Sequence, residues 1–377
     1  MNMINLTSAC NITTGKLDAN AAVENGEYPY FTCAPEPLRI DKYAFDGDVI
    51  LLAGNNAAGN FHCQRYTGKF NAYQRTYVIT AKEGYDIDYV YYNLLINLQM
   101  LKKISQGSQT KFLTMEILNG FELNDIPYLS QKKIVSSLVL INQKIDNNSA
   151  ICSDLESLAK LLYDYWFVQF DFPDENGKPY KSSGGNMVWN EELKRNIPYG
   201  WQVISIGDIL VERPKSKIQV NELEDHVGKI PFFTSGEGVF AFDEPFVTGS
   251  NIFMNTGGNA DVKCYLGEAA YSTDTWCINA GEYTFYLYMY LEMIRKYLDI
   301  SFFAGTGLKH LQKEVLKKHL IAIPPKEIIV DFNETMEQNY SVITALKEEN
   351  TELSSLCDFL LPMLMNGQVK IKEKEDN

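Results

Sequence analysis

Apolar positions along this chain follow two rhythms, and each rhythm occurs twice. Ile134, Leu138, Ile141, Ile145, Asn148, Cys152, Leu155, Ala159, Leu162 and Trp166 step by alternating fours and threes. Phe332, Met336, Asn339, Ile343, Leu346, Asn350, Leu353, Cys357, Leu360 and Leu364 do the same, each 198 positions after its counterpart. This is a heptad seam sustained for more than four heptads, the pattern of helices that pack on one another. Two amphipathic helices lying on separate domains would need no common register. Upstream of each seam the rhythm shortens to β-branched and aromatic runs, such as Tyr77-Val78-Ile79-Thr80, cut by Gly, Asn and Pro. Such runs predict mainly antiparallel strands. One amphipathic helical stretch interrupts them in each half, near 86–104 and 281–300.

The two strand-rich segments repeat each other. Tyr28-Pro29-Tyr30-Phe31-Thr32 recurs as Ile230-Pro231-Phe232-Phe233-Thr234, and Phe45–Leu52 parallels Phe246–Phe253. Each then meets a Gly/Asn-rich turn, at 53–60 and at 255–259. Lys111-Phe112-Leu113 matches Lys309-His310-Leu311, and Ile126-Pro127 matches Ile323-Pro324. The expected class is α+β: two similar globular domains and two long helices forming an antiparallel coiled coil, related by a pseudo-two-fold axis. The divisions are a first domain at 1–127, a first helix at 128–167 and a linker at 168–200. A second domain follows at 201–325, a second helix at 326–367 and a charged tail at 368–377. Within the linker, Asn190 to Asn196 reads as a short helical piece.

The seams also predict how the helices pair. In an antiparallel pair, facing positions sum to a constant. Full overlap sets Ile134 against Leu364 and therefore Asn148 against Asn350. Cys152 then faces Leu346 and Ala159 faces Asn339. Two asparagines meeting in a seam can satisfy each other's amides and fix register at some cost in stability. Parallel pairing would oppose Asn148 to Leu346 and Ala159 to Cys357, leaving a gap.

Composition narrows the class. At 377 residues, 45% hydrophobic and 22% charged, the chain is long enough for two or three soluble domains. No apolar run reaches the roughly 20 residues of a membrane span. Seven scattered cysteines (10, 33, 63, 152, 264, 277 and 357) suggest reduced thiols and a cytoplasmic setting. Net charge is −14, yet 1–127 carries only −3 and 198–325 only −4. Neither globular half is a polyanion-seeking surface by bulk charge, so binding to nucleic acid would draw phosphate neutralisation from a partner.

Catalytic signatures are missing. There is no GxxxxGK[ST] loop and no dinucleotide fingerprint. Asn255-Thr256-Gly257-Gly258-Asn259 reads as a hairpin turn. His62, Cys63 and Cys33 lack metal-site spacing. The other histidines, 226, 310 and 319, sit in no nucleophile motif. What each half does offer is polar chemistry suited to base edges: Asn55, Asn56, Asn60, Gln64, Arg65, Lys69, Asn71, Gln74 and Arg75, then Asn255, Asn259, Lys263, Thr273 and Asp274. Asn and Gln pair with adenine, and Arg or Lys with guanine. Lys111, and Lys309 with His310, could grip phosphate after Gly-Ser and Gly-Thr turns. Ordinary hairpin tips and a helix cap are the plain alternatives.

Three further stretches carry a resemblance. They are Leu162-Tyr163-Asp164-Tyr165-Trp166-Phe167-Val168-Gln169-Phe170-Asp171-Phe172-Pro173, Ile197-Pro198-Tyr199-Gly200-Trp201, and Leu360-Leu361-Pro362-Met363-Leu364-Met365-Asn366-Gly367. With the repeated halves, the whole chain resembles the specificity (S) subunit of type I restriction–modification systems. Phe70-Asn71-Ala72-Tyr73-Gln74-Arg75-Thr76-Tyr77 resembles a target recognition strand of that family. The resemblance implies a non-catalytic subunit in which each domain reads half of a bipartite site in double-stranded DNA. The helices act as a spacer ruler. Two methyltransferase (M) subunits dock, restriction (R) subunits join, and AdoMet, ATP and Mg²⁺ belong to those partners. The assembled complex would be a DNA methyltransferase and ATP-dependent restriction endonuclease. The first repeat lacks an Ile-Pro-x-Gly-Trp lead before Ile4, which implies weaker anchoring of the first domain. The rival readings are a two-domain coiled-coil interaction scaffold that does not bind DNA, and an enzyme with a dispersed site.

Overall fold

The computed structural model describes residues 2–225, 228–236, 238–366 and 368–369. His226, Gly367 and the tail from 370 onward lie outside the described residues. The chain divides into two units, one of residues 1–146 with 351–377 and one of residues 147–350. Each therefore holds a globular domain together with a stretch of both long helices, Tyr128–Tyr163 and Lys326–Met365.

The first unit is built on a six-stranded sheet. Its order is Cys10–Thr14, Thr76–Ala81, Phe45–Ala53, Cys63–Ala72, Tyr28–Phe31 and Leu38–Ile40. Pairing is antiparallel except where Tyr30 and Phe31 run parallel to Asn71 and Ala72. Alternation puts Ile50, Leu52 and Ile79 on one face, where they are fully buried under Val90, Leu94 and Leu101 of the helices Ile87–Ile96 and Leu98–Ile104. Asp86 caps the first of these helices by accepting from the Asp88 and Tyr89 amides. Gln131 of the long helix, itself fully buried, accepts from the Asp86 amide at 2.8 Å and donates to Ile126 O at 2.8 Å. Met3–Asn5, at the start of this domain, pairs antiparallel with Glu122–Asn124 near its end.

The second unit repeats this order in two pieces. Val211–Glu212, Thr275–Asn279, Ser250–Asn255 and Val262–Leu266 form a four-stranded sheet. Ala270–Tyr271, Ile230–Phe233 and Val239–Phe242 form a three-stranded one. The long strand Cys63–Ala72 of the first unit thus corresponds to two short strands here. A glycine with positive φ sits at the same repeat position in both, Gly68 (129°) and Gly267 (147°). A Cβ on Gly267 would come within 3.0 Å of the Tyr265 ring, so glycine is required by backbone and by space. The core holds Ile252, Met254 and Ile278 where the first unit has Ile50, Leu52 and Ile79.

The long helices pair antiparallel. In the second unit Asn148, Cys152 and Trp166 meet Asn350, Ile343 and Phe332, so partner numbers fall as residue numbers rise. Asn148 Nδ2 donates to Asn350 Oδ1 at 2.8 Å, and also to Glu349 Oε2 at 2.7 Å. The pair is not reciprocal. Asn350 Nδ2 turns to Ser149 Oγ at 3.2 Å, and Asn148 Oδ1 is buried without a partner among the described residues. The expected mutual satisfaction of the amides is therefore half achieved, because Glu349 and Ser149 compete for the same groups. In the first unit Ile134, Val135 and Leu138 cluster with Leu360, Leu361 and Leu364 and with Tyr89 and Tyr92.

The first long helix ends in a π turn at Asp164–Val168, and Phe170 takes a φ of 65°. That reversal folds Trp166, Phe167, Phe170 and Phe172 onto Phe332, Tyr286 and Trp201. The Leu162–Pro173 motif is thus an aromatic plug of the second unit. Two expectations are overturned. Residues 45–52 correspond to 247–254 rather than to 246–253, because Ile50 pairs with Ile79 as Ile252 pairs with Ile278. Asn190–Asn196 is not helical but the turn of a hairpin between Met187–Asn190 and Arg195–Pro198. Asn190 Oδ1 accepts from the Glu192 and Leu193 amides, a side-chain turn that competes with helix formation.

Candidate nucleic-acid interface

Backbone hydrogen bonds bring three loops together at one edge of each unit. In the first, the Gly54 amide donates to Arg75 O at 2.8 Å and the Leu113 amide to Gly54 O at 2.9 Å. In the second, the Thr256 amide donates to Asp274 O and the Leu311 amide to Thr256 O, both at 3.0 Å. A fourth segment joins by the same wiring: the Gln74 amide donates to Leu17 O, and the Thr273 amide to Ile218 O. Asn55, Asn56, Asn60, Gln74, Arg75 and Lys111 therefore share one locality, as do Asn255, Asn259, Thr273, Lys309 and His310.

These side chains do different work. Asn56 Oδ1 accepts from the Ala58 and Asn60 amides, shaping its own turn. Asn60 Oδ1 accepts from Lys102 at 2.6 Å. Buried Asn255 donates to Gly257 O and Asn259 O and accepts from the Asp261 amide, so it holds its loop rather than facing outward. Lys309 pairs with Asp299 at 3.0 Å, and that contact foremost holds the Asp299 carboxyl below its ordinary value. By contrast Asn55, Gln74, Arg75 and Lys111, and Asn259, Thr273 and His310, make no side-chain hydrogen bond or ion pair among the described residues. They are free to meet a ligand.

Each of the remaining sequence-predicted residues already has a partner within its own unit. Arg65, on the strand Cys63–Ala72, is clamped between Asp48 (2.8 Å) and Asp88 (2.7 Å). Gln64 donates to Pro35 O. Lys69 lies 4.8 Å from the Tyr43 ring centre. Asn71 is buried and donates to Lys42 O. Lys263 pairs with Asp261 at 3.3 Å and donates to Gly236 O.

Sequence reasoning missed a group in the second unit. A recess of about 260 Å³ opens beside Thr256, Thr273 and Asp274, and Arg213, Lys215 and Lys313 line it. The Lys313 ammonium lies 4.8 Å from the Trp276 ring centre, and burial pulls it below its ordinary pKa. Glu212 also lines the recess. The hydrogen bond from Lys317 holds its carboxyl below the ordinary value, and Trp276 Nε1 donates to it at 2.8 Å. The missed signal was Arg213-Pro214-Lys215-Ser216-Lys217, three cations in five residues directly after a strand.

Among the described residues no group of three or more His, Cys, Asp or Glu side chains could hold a metal ion. No helix there is long and apolar enough to cross a membrane.

Comparison with known proteins agrees with the duplicated architecture. A family model described as the type I restriction modification DNA specificity domain matches residues 1–157 and again 198–355. The type I restriction enzyme EcoDI specificity subunit of Escherichia coli is 25% identical, over 99% of this chain and 90% of its own length. The MjaIX specificity subunit of Methanocaldococcus jannaschii is 27% identical, over 78% of this chain and 72% of its own. The crystal structure of a type I system S subunit from M. genitalium shares the fold, with a TM-score of 0.64 at 15% identity over 98% of this chain and 96% of that one. Matched twice, along most of its length, the chain belongs to the family of type I restriction–modification specificity subunits.

Proposed function

We propose that this chain is the non-catalytic DNA-recognition subunit of a type I restriction–modification complex. Each globular domain reads one half of a bipartite site in double-stranded DNA. The paired helices set the spacing between the half-sites. The observation that carries this reading is the duplicated loop cluster: one backbone wiring presents different free side chains in each half. Identical wiring with different tips is what two unlike half-sites require. Base edges are read by Asn55, Gln74 and Arg75 in the first domain, and by Asn259, Thr273 and His310 in the second. Lys111 contacts phosphate.

The length of the seam suits the ruler role. About 33 residues at about 1.5 Å each span roughly 50 Å, enough to bridge half-sites one helical turn, about 34–36 Å, apart. Two methyltransferase subunits dock on the helices, where Leu129, Leu140 and Phe359 in the first unit and Leu158, Leu161 and Val330 in the second stand exposed. Restriction subunits complete the complex. AdoMet, ATP and Mg²⁺ belong to these partners, which also supply the cations that an acidic chain lacks. The setting is the cytoplasm, where the DNA is.

Methylation mapping of a host expressing this chain with methyltransferase partners tests the proposal. A bipartite methylated motif that disappears when the chain is deleted is the expected result. An unchanged methylome would leave the reading as a protein-interaction scaffold instead.

A further inference from the structure

Most well-placed cations of this chain are spent inside it. Arg65, Lys263, Lys309 and Lys317 are each tied to a carboxylate. Arg213 Nε donates to the buried Asn251 Oδ1 at 3.2 Å. Lys102 and Lys111 of the first domain are held differently. Both stems lie against one buried glycine: a Cβ built on Gly59 would come 3.1 Å from Lys111 Cγ and 3.2 Å from Lys102 Cγ. Lys102 Nζ donates to Asn60 Oδ1 at 2.6 Å, and the Asn60 amide donates in turn to Asn56 Oδ1 at 3.0 Å. Asn60 is a neutral acceptor and uses one of the three ammonium donors. Lys111 lies opposite Asn56 in a short antiparallel ladder. No carboxylate pairs with either lysine among the described residues. Two cations are thus brought to one place, one of them already oriented, with their full charge intact.

The second domain carries the same parts with the charge cancelled. Lys111 and Lys309 are repeat partners. Each stands two residues before a leucine whose amide donates into the first loop, Leu113 to Gly54 O and Leu311 to Thr256 O. Lys102 and Asp299 are partners too. Each follows the fully buried leucine of the second short helix, Leu101 in Leu98–Ile104 and Leu298 in Arg295–Ser301. Asp299 accepts from the Ala260 amide at 3.0 Å and from Lys309 Nζ at 3.0 Å. Both helices therefore tether the Gly/Asn-rich loop, Lys102 by donating and Asp299 by accepting. Reversing the polarity keeps the tether and turns two cations into one neutralised pair.

Two like charges in one place are relieved by an anion. A base edge offers neutral acceptors and cannot offset two ammonium groups. A phosphate can, and a lysine meets it as a point charge from many angles. The ladder to Asn55 and Asn56 sets the pair beside the loops that carry Asn55, Gln74 and Arg75. We propose that Lys102 and Lys111 together seat one backbone phosphate of the first half-site, and that Asp299 closes the equivalent seat in the second domain by occupying Lys309. The inference rests on the DNA-recognition reading above and makes the two domains unequal in how they hold DNA. The first grips the backbone at this place with charge of its own, which fixes its register on the duplex without reading sequence. The second does not.

The test uses the full chain assembled with its methyltransferase subunits. Binding is measured against salt for two duplexes, one with the mapped motif and one with its first half-site scrambled. Lys102→Gln and Lys111→Gln should each weaken binding about five- to tenfold at physiological salt and make the salt slope shallower by about one. The factor should be the same on both duplexes. Lys102→Asp sets a carboxylate beside Lys111, as in the second domain, so this single substitution should flatten the slope by about two. Asp299→Asn keeps an oxygen for the Ala260 amide and releases Lys309. It should tighten binding about five- to tenfold and steepen the slope by about one. A gain of that kind cannot come from a damaged fold. Unchanged affinity and slope in Lys111→Gln and Asp299→Asn, while the unaltered complex still discriminates the duplexes, would overturn the proposal and spare the reading of function. A switched base preference in Lys102→Gln or Lys111→Gln would also overturn it, by making that lysine a base reader. An unaltered complex that cannot tell the duplexes apart would remove the reading of function, and this proposal with it.

Discussion

The two units keep the same backbone wiring and fill it differently. Both tie three loops by matched amide-to-carbonyl bonds, and both place a positive-φ glycine beside a tyrosine ring. The side chains diverge from there. The first unit packs its stretch of the long helices with Leu361, Leu364 and Met365 against Tyr89 and Tyr92. The second uses Tyr163, Trp166 and Phe167 against Tyr286 and Phe332 at the corresponding places. Arg75 at one loop tip becomes Asp274 at the other. The first clamps an arginine with two carboxylates, and the second holds one with a neutral amide. Unmet backbone groups are costly wherever they are buried, so the wiring is fixed. Side chains at loop tips face solvent and vary without that penalty. Duplicated scaffolds with unlike tips are how one chain recognises two unlike sequences.

The comparison breaks most visibly if the units are not independent readers. Replacing residues 201–325 with the matching domain of another family member should change one half of the methylated motif completely and leave the other intact. Methylation mapping reads the outcome. A change in both halves would mean that the units do not read separately.

Next in size is the packing difference. Phe332 is fully buried among three aromatic rings, and Phe332→Ala should cost about 3–5 kcal/mol. Leu364→Ala, at the end of the other helix stretch, should cost about 2–5 kcal/mol. Denaturant melts followed by hydrogen exchange should show Phe332→Ala loosening the second unit alone. If protection falls equally in both units, the aromatic plug is not a local feature.

Much of this was legible in the sequence. The seams, the repeat and the Asn148–Asn350 meeting all follow from spacing, because a heptad seam fixes which residues can face each other. The hairpin at Asn190 was not legible, since Asn190 at a side-chain turn and Asn190 at a helix start look alike until the Met187–Pro198 pairing is known. The candidate site was legible only as a neighbourhood. Residue type does not tell Asn255, spent on its own loop, from Asn259, which is free. Nor could spacing show that Arg65 is neutralised and Arg213 is not, because their partners come from other strands.

The asparagine layer gives a third, smaller effect. Asn148 is buried and leans on both Asn350 and Glu349. Asn350→Leu strands part of that amide and should cost about 1–3 kcal/mol in a thermal melt. Changing both residues to leucine removes the polar groups together and should restore or exceed the original stability, at the expense of register specificity. A double variant less stable than the single would show that the layer stabilises rather than specifies.

The smallest effect concerns acid, and it separates the two arginines directly. Partial burial works to raise the Asp48 carboxyl, but hydrogen bonds from Arg65 and Thr67 outweigh it and hold the group below its ordinary value of 3.8. A carboxylate with a depressed folded-state pKa stabilises the fold above its unfolded value. That stabilisation is lost as pH falls through 3.8 toward the folded value. The stability gap between the unaltered chain and Arg65→Gln should therefore be full at neutral pH and narrow below pH 3.8. Asp48 and Asp88 are both partly exposed, at 48% and 33%, so solvent screening keeps the gap small. Asn251 does not titrate, so the gap for Arg213→Gln should stay level over the same range. Paired thermal melts from pH 7 to pH 3 measure both. If the Arg213→Gln gap closes in acid as well, a carboxylate must share in holding Arg213.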